Sequence, residues 1–179
     1  GLRRRWIVYT LVGIAFGALD FYYLGLLHRR IPYGAFAAGP LGDSLDFVVR
    51  FLVLNVGLWL VPVVPIAIRE ARRTGSALRA AAATVYVWCV AVLAYYLTNA
   101  AHLLLVGEPA RMELHITNRA DPWFGHNWSN VFRWNILGGS VEWLVVAVVG
   151  GAIVGLLVGG LALWRTNQGV PAGQASSGS

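Results

Sequence analysis

Apolar residues fill four long stretches of the chain, and the polar positions that separate them are few except in one segment. The stretches run from about Trp6 to Leu27, Leu45 to Ile68, Ala80 to Val106 and Gly139 to Trp164. At about 1.5 Å rise per residue, some 20 helical residues cover a hydrocarbon core about 30 Å thick. No convincing strand pattern interrupts them. The pattern predicts an all-α integral membrane protein, a four-helix bundle of four transmembrane spans in a single domain over residues 1–165. Residues 166–179 form a Gly/Ser/Gln-rich tail expected to be disordered.

The connectors refine this reading. His28 to Ser44 carries Pro32, Gly34, Gly39, Pro40 and Gly42, a loop composition, with Asp43 or Ser44 placed to cap the second span. Pro62 and Pro65 each lack a backbone donor and predict a kink or an early helix end. Arg69, Arg72, Arg73 and Arg79 make a basic turn before the third span. The one long polar segment, Glu108 to Ser140, holds His115, Trp123, His126, Trp128 and Trp134 and reads as an aromatic extracytoplasmic loop of roughly 30 residues. Within it, Trp128, Val131, Phe132 and Asn135 or Ile136 share helical spacing, which predicts an interfacial helix over about 127–137. That helix reads as a lid or docking element, or as an aromatic belt extending the fourth span.

Composition supports lipid as the main solvent. The hydrophobic fraction is 58% against about 45–50% in a soluble domain, and charged residues are 12% against about 25%. All 14 basic residues are Arg, an Arg-rich style that points to a bacterial source, and the formal charge is +6. The arginines flank apolar runs, so the expected partner is the bilayer rather than nucleic acid. Anionic lipid at Arg69, Arg72, Arg73 and Arg79 is one expectation, and a second membrane subunit another. Placing the N-terminus in the cytoplasm puts eight arginines inside (3, 4, 5, 69, 72, 73, 79, 165) and five outside (29, 30, 111, 119, 133). The chain is thus expected to cross a cell membrane four times, with both termini cytoplasmic and 108–140 outside. A signal peptide ending at Ala35-Phe36-Ala37 competes for the first stretch. Its apolar run exceeds the 7–15 residues of a signal core and contains Asp20, which favours an uncleaved span.

In that orientation the polar residues of the spans gather towards the outer face. Asp20 closes the first span, Asp46 and Arg50 open the second, Tyr95, Asn99 and His102 line one stripe near the end of the third, and Glu142 opens the fourth. An ionisable side chain in a span costs several kcal/mol unless paired or hydrated. Asp20, the deepest, is expected to pair with Arg50 first and His102 second. The set forms a candidate outward-facing polar pocket; the alternative is structural ion pairs and interfacial anchors.

In the fourth span Ala147, Gly151, Gly155 and Gly159 recur every four residues, a glycine-zipper pattern that lets helix backbones approach closely within this chain or against a partner.

Chemistry has little support. His28 and His102 are the one pair considered for haem, but neither Cys-x-x-Cys-His nor His-Glu-x-x-His occurs, so no cofactor or metal is expected. Ser129 and Ser140 lack a Gly-x-Ser-x-Gly turn, and no catalytic residue is assigned. Asn127-Trp128-Ser129 fits a glycosylation acceptor and carries no weight in a bacterial context. The sole Cys89 excludes an intrachain disulfide. The leading expectation is a non-catalytic packing or assembly subunit. A transporter-like or ligand-binding protein and a membrane enzyme with an outer-face site are the alternatives.

Overall fold

A computed structural model describes residues 2–30, 53, 57–106 and 122–168. Among these there is no strand. We label the helices α1 (Leu2–Arg30), α2 (Leu58–Thr74), α3 (Ala77–Val106), α4 (Phe124–Val131) and α5 (Gly139–Gln168). A π-helical segment, Phe132–Gly138, joins α4 to α5. Three helical stretches are long and apolar enough to cross a membrane: Arg3–Leu26, Ala77–Leu105 and the 42-residue Gly125–Thr166.

α3 is the central element. Half of its most apolar eighteen residues are buried, against 33% of those in α1 and 22% of those in the α4–α5 rod, and α1, α2 and α5 all pack on it. Small residues permit that approach: Ala80, Ala83, Val87 and Ala91 are fully buried. Contacts advance in the same direction along α1 and α3. Thr10 Oγ1 is 2.7 Å from Tyr86 Oη, Gly13 lies against Val90 and Gly17 against Ala91, and the Phe21 ring packs 5.6 Å from Tyr95. α1 and α3 therefore run parallel. α5 runs the other way, with Gly139 against Tyr96, Gly151 against Val85 and Gly159 against Ala80. α2 also opposes α1, since Trp59 meets Phe16 while Glu70 meets Arg5.

Several boundaries differ from the expectation. α2 runs through both prolines. Each removes one helical N–H, yet Val63 and Ile66 beside them are buried and hold the helix on its neighbours. The basic turn is helical on both sides, and only Gly75 and Ser76 break it. Gly75 takes the left-handed conformation (φ 63°) and donates to Ala71 O at 2.8 Å, a helix end that needs no Cβ. The fourth apolar helix starts at Gly139, as expected, and the helix expected over about 127–137 is present as α4 and the π-helical segment, which extend it into a longer rod. At helical rise its 42 residues measure roughly 60 Å, about twice a hydrocarbon core. At its other end α5 continues to Gln168, past the expected start of the tail. The start of the expected second span (45–52 and 54–56), with Asp46 and Arg50, and residues 107–121 of the expected loop, with His115, lie outside the described residues.

Candidate functional site

The two ends of the helix bundle carry different chemistry. One is the arginine end, where α1 begins, α2 and α5 finish, and α3 starts. Here Ala67, Ala71, Ala80 and Ala162 form a small-residue core. Above them Glu70, only 5% exposed, is held from α1: Arg5 Nη1 donates to its Oε1 at 2.5 Å and the Tyr9 hydroxyl to its Oε2 at 2.9 Å. Arg5 and Tyr9 stand four apart on one helix face, which lets both reach one carboxylate. Tyr9 is buried, and the side chains of Arg5 and Glu70 are 13% and 6% exposed. A charge pair so far out of water requires close geometry and satisfied oxygens, and both Glu70 oxygens have a donor. Arg5 Nε is buried with no hydrogen-bond partner among the described residues. A cleft of about 410 Å³ opens beside this group, lined by Arg4, Arg5, Val8, Tyr9, Arg69 and Arg73.

Glu70 carries no weight in the reading of the sequence, where it stands among arginines at 69, 72 and 73. The available signal is that it is the one carboxylate in that cluster. Gly13 and Gly17 are a second omission: a Cβ at 13 would lie 2.8 Å from Val90 Cγ1, and one at 17 would strike the Ala91 carbonyl. Their four-residue spacing is the same close-packing pattern as that in α5.

The opposite end carries four of the candidate pocket residues, Asp20, Tyr95, Asn99 and His102. Asp20 (2% exposed), Tyr95 (5%) and Asn99 (6%) are buried, and Asp20 precedes Phe21, whose ring contacts Tyr95 and His102. His102, partly exposed, also meets Tyr22 at 6.3 Å. Glu142 is exposed on α5 and is not buried with them. Asp46 and Arg50 lie outside the described residues, as does the side chain of His28, the proposed haem partner of His102. Among the described residues no three His, Cys, Asp or Glu side chains gather as a metal-binding set.

Between the ends, aromatic rings tie the four helices together. Trp59 of α2 meets Phe16 of α1 at 5.3 Å, Trp88 of α3 at 6.3 Å and, stacked, Trp143 of α5 at 6.3 Å. Trp88 Nε1 donates to the Trp59 carbonyl at 2.8 Å, which satisfies the indole inside the packed region. One turn further along α3, the fully buried Thr84 places its hydroxyl 2.7 Å from Gly151 O on α5. It also lies 2.8 Å from Ala81 O and 3.2 Å from Ala80 O, so a single proton is shared among three acceptors.

The residues at 147, 151, 155 and 159 face α3. Ala147 is buried in the central cluster with Val87 and Trp88. A Cβ at Gly151 would lie 2.9 Å from Val85 Cα, and one at Gly155 would strike Thr84 and Ala81. In the aromatic segment His126 hydrogen-bonds Asn130 at 3.0 Å, and Trp128 stacks on Phe132 at 5.3 Å. Trp123 and Trp134 are about 70% exposed.

No protein-family model, no curated protein and no solved structure matches the chain.

Proposed function

We propose that the chain is a non-catalytic, multi-pass membrane protein that serves as a helix-packing or assembly subunit of a membrane complex. One observation carries this reading. The most apolar eighteen residues of the α4–α5 rod are more apolar than those of the other two long stretches and the least covered, at 22% buried. Its glycine stripe, read as a glycine zipper, lies against α3 and leaves the other faces to the surroundings. Val141, Val145, Val149, Leu157 and Leu161 are all more than half exposed. A surface of this kind takes lipid or neighbouring helices.

We also infer a fourth span. Two parallel helices, each long enough to cross the bilayer, need a return crossing between Arg30 and Ala77. α2 runs in the returning direction. In this topology the arginine end is cytoplasmic, in keeping with the excess of Arg there.

Purification of the full chain from its native membranes in mild detergent tests the subunit reading. A companion chain at fixed stoichiometry supports it; a lone, monodisperse chain contradicts it. A second reading, a small-ligand site at Asp20, Tyr95, Asn99 and His102, is favoured by the burial of Asp20 deep in a span, where ionisable groups commonly serve function. Ligand density between α1 and α3 in a structure determined in lipid would favour that reading over the first.

A further inference from the structure

We propose that the cleft between the start of α1 and the end of α2 is a binding site for the phosphate of an anionic membrane lipid. Four guanidinium groups line it, Arg4 and Arg5 from α1 and Arg69 and Arg73 from α2. Arg69 and Arg73 are four apart, on one face of α2. One carboxylate stands close by, Glu70, and it is buried with both oxygens already accepting from Arg5 and Tyr9. It therefore fixes Arg5 without filling the cleft. Four positive charges against one leave a net repulsion that an anion relieves. Guanidinium groups suit phosphate because their fork of N–H donors matches two of its oxygens.

The walls of the site select a lipid over a soluble phosphate compound. Val8 lines the cleft beneath the arginines. Beside it a shallow, open surface depression shares Arg69 and Arg73 and is lined by Pro65 and Ile68 as well as Arg72. Polar groups at the rim and apolar groups below match the headgroup and upper acyl chain of a phospholipid. The depth matches too, because Arg4 and Arg5 open the apolar stretch that begins at Arg3, and Arg69 follows the apolar run of α2 that ends at Ile68. Basic pockets between membrane helices bind anionic headgroups in this way. The proposal stands apart from the subunit reading, since a lone chain would bind the lipid equally well.

The test uses the full chain in a neutral detergent, with bound lipid counted by native mass spectrometry. Short-chain phosphatidylglycerol, short-chain phosphatidylcholine and glycerol phosphate are titrated separately. The wild type is expected to bind phosphatidylglycerol at least tenfold tighter than either alternative. The double variant Arg69→Gln/Arg73→Gln should weaken that binding about 25-fold, the product of roughly fivefold per arginine at a membrane surface. Both side chains are exposed and outside the Glu70 group, so the fold is expected to persist. The control Arg3→Gln/Arg79→Gln removes the same charge from exposed positions outside the cleft and the depression, and should change affinity less than threefold. Equal loss in the two double variants would reduce the effect to general electrostatics and overturn the site. Undiminished affinity in the first double variant would overturn it as well. Glycerol phosphate binding as tightly as the lipid would overturn the choice of lipid.

Discussion

Replacing Gly155 by alanine adds one methyl group at the closest approach of α3 and α5. That methyl would strike Thr84 Oγ1 and Ala81 Cα and lie 2.9 Å from Ala81 N. Ordinary contact begins near 3.5 Å, so the backbones must separate by some 0.5–1 Å. A gap of that size forfeits about a quarter to a half of each dispersion contact, at roughly 0.1–0.2 kcal/mol per atom pair. Over the several tens of atom pairs between these helices, the loss amounts to about 2–3 kcal/mol, within the usual range for overpacking. The Thr84–Gly151 hydrogen bond, one turn away, would lengthen and add to it. Gly160 supplies the internal control. It lies on the same helix with nothing within 4 Å of its would-be Cβ, so Gly160→Ala should be neutral or gain up to about 1 kcal/mol from helix propensity. Unfolding of the detergent-solubilised variants by SDS titration, followed by Trp fluorescence, measures the difference. The account predicts Gly155→Ala to be less stable than Gly160→Ala by about 3 kcal/mol. Equal stabilities would refute the α3–α5 register and the packing argument built on it.

Three further outcomes follow from the same geometry. Glu70→Gln leaves Arg5 as a buried charge without its counter-ion and should cost about 3 kcal/mol; the double variant with Arg5→Gln should cost less than the two single changes summed, and strict additivity would count against a coupled pair. Thr84→Val keeps the shape and removes the hydroxyl donor to Gly151, so it should cost only about 0.6 kcal/mol in the same titration, the average for such bonds in a membrane; a loss above 2 kcal/mol would mean that the bond, rather than close packing, holds α3 to α5. Asp20→Ala should lower accumulation in membranes more than Asp46→Ala or Glu142→Ala, since Asp20 is buried in a span while Glu142 is exposed. Equal levels of the three on an immunoblot would remove Asp20 from the polar centre.

Much of the helix content is legible in the sequence because lipid imposes a coarse rule. Some twenty apolar residues without charge have few fates other than a spanning helix, and three such stretches appear as helices. Helix ends are less legible. The run of arginines after Ile68 looks like a loop by charge alone, yet the helix continues to Thr74 because arginine is a good helix former and Gly75 provides the stop. In the aromatic segment the spacing of Trp128, Val131 and Phe132 predicts helix over about 127–137, and the observed helix starts slightly earlier, at Phe124. Partners are the least legible of all. The four-residue spacing of Gly151, Gly155 and Gly159 is plain, but spacing on one helix cannot say that Val85, Ala81 and Ala80 lie opposite. Glu70 shows the same limit more sharply. Its neighbours in sequence are arginines, and its partners Arg5 and Tyr9 stand more than sixty residues away, on another helix.

The central claim is that the chain crosses a bilayer with its arginine end and its aromatic end on opposite sides. Single cysteines at Ser76 and Asn127, in a Cys89→Ala background, test it with a membrane-impermeant maleimide on intact cells. The account predicts that Asn127→Cys labels at once and Ser76→Cys only after permeabilisation. Labelling of both from the same side would contradict it.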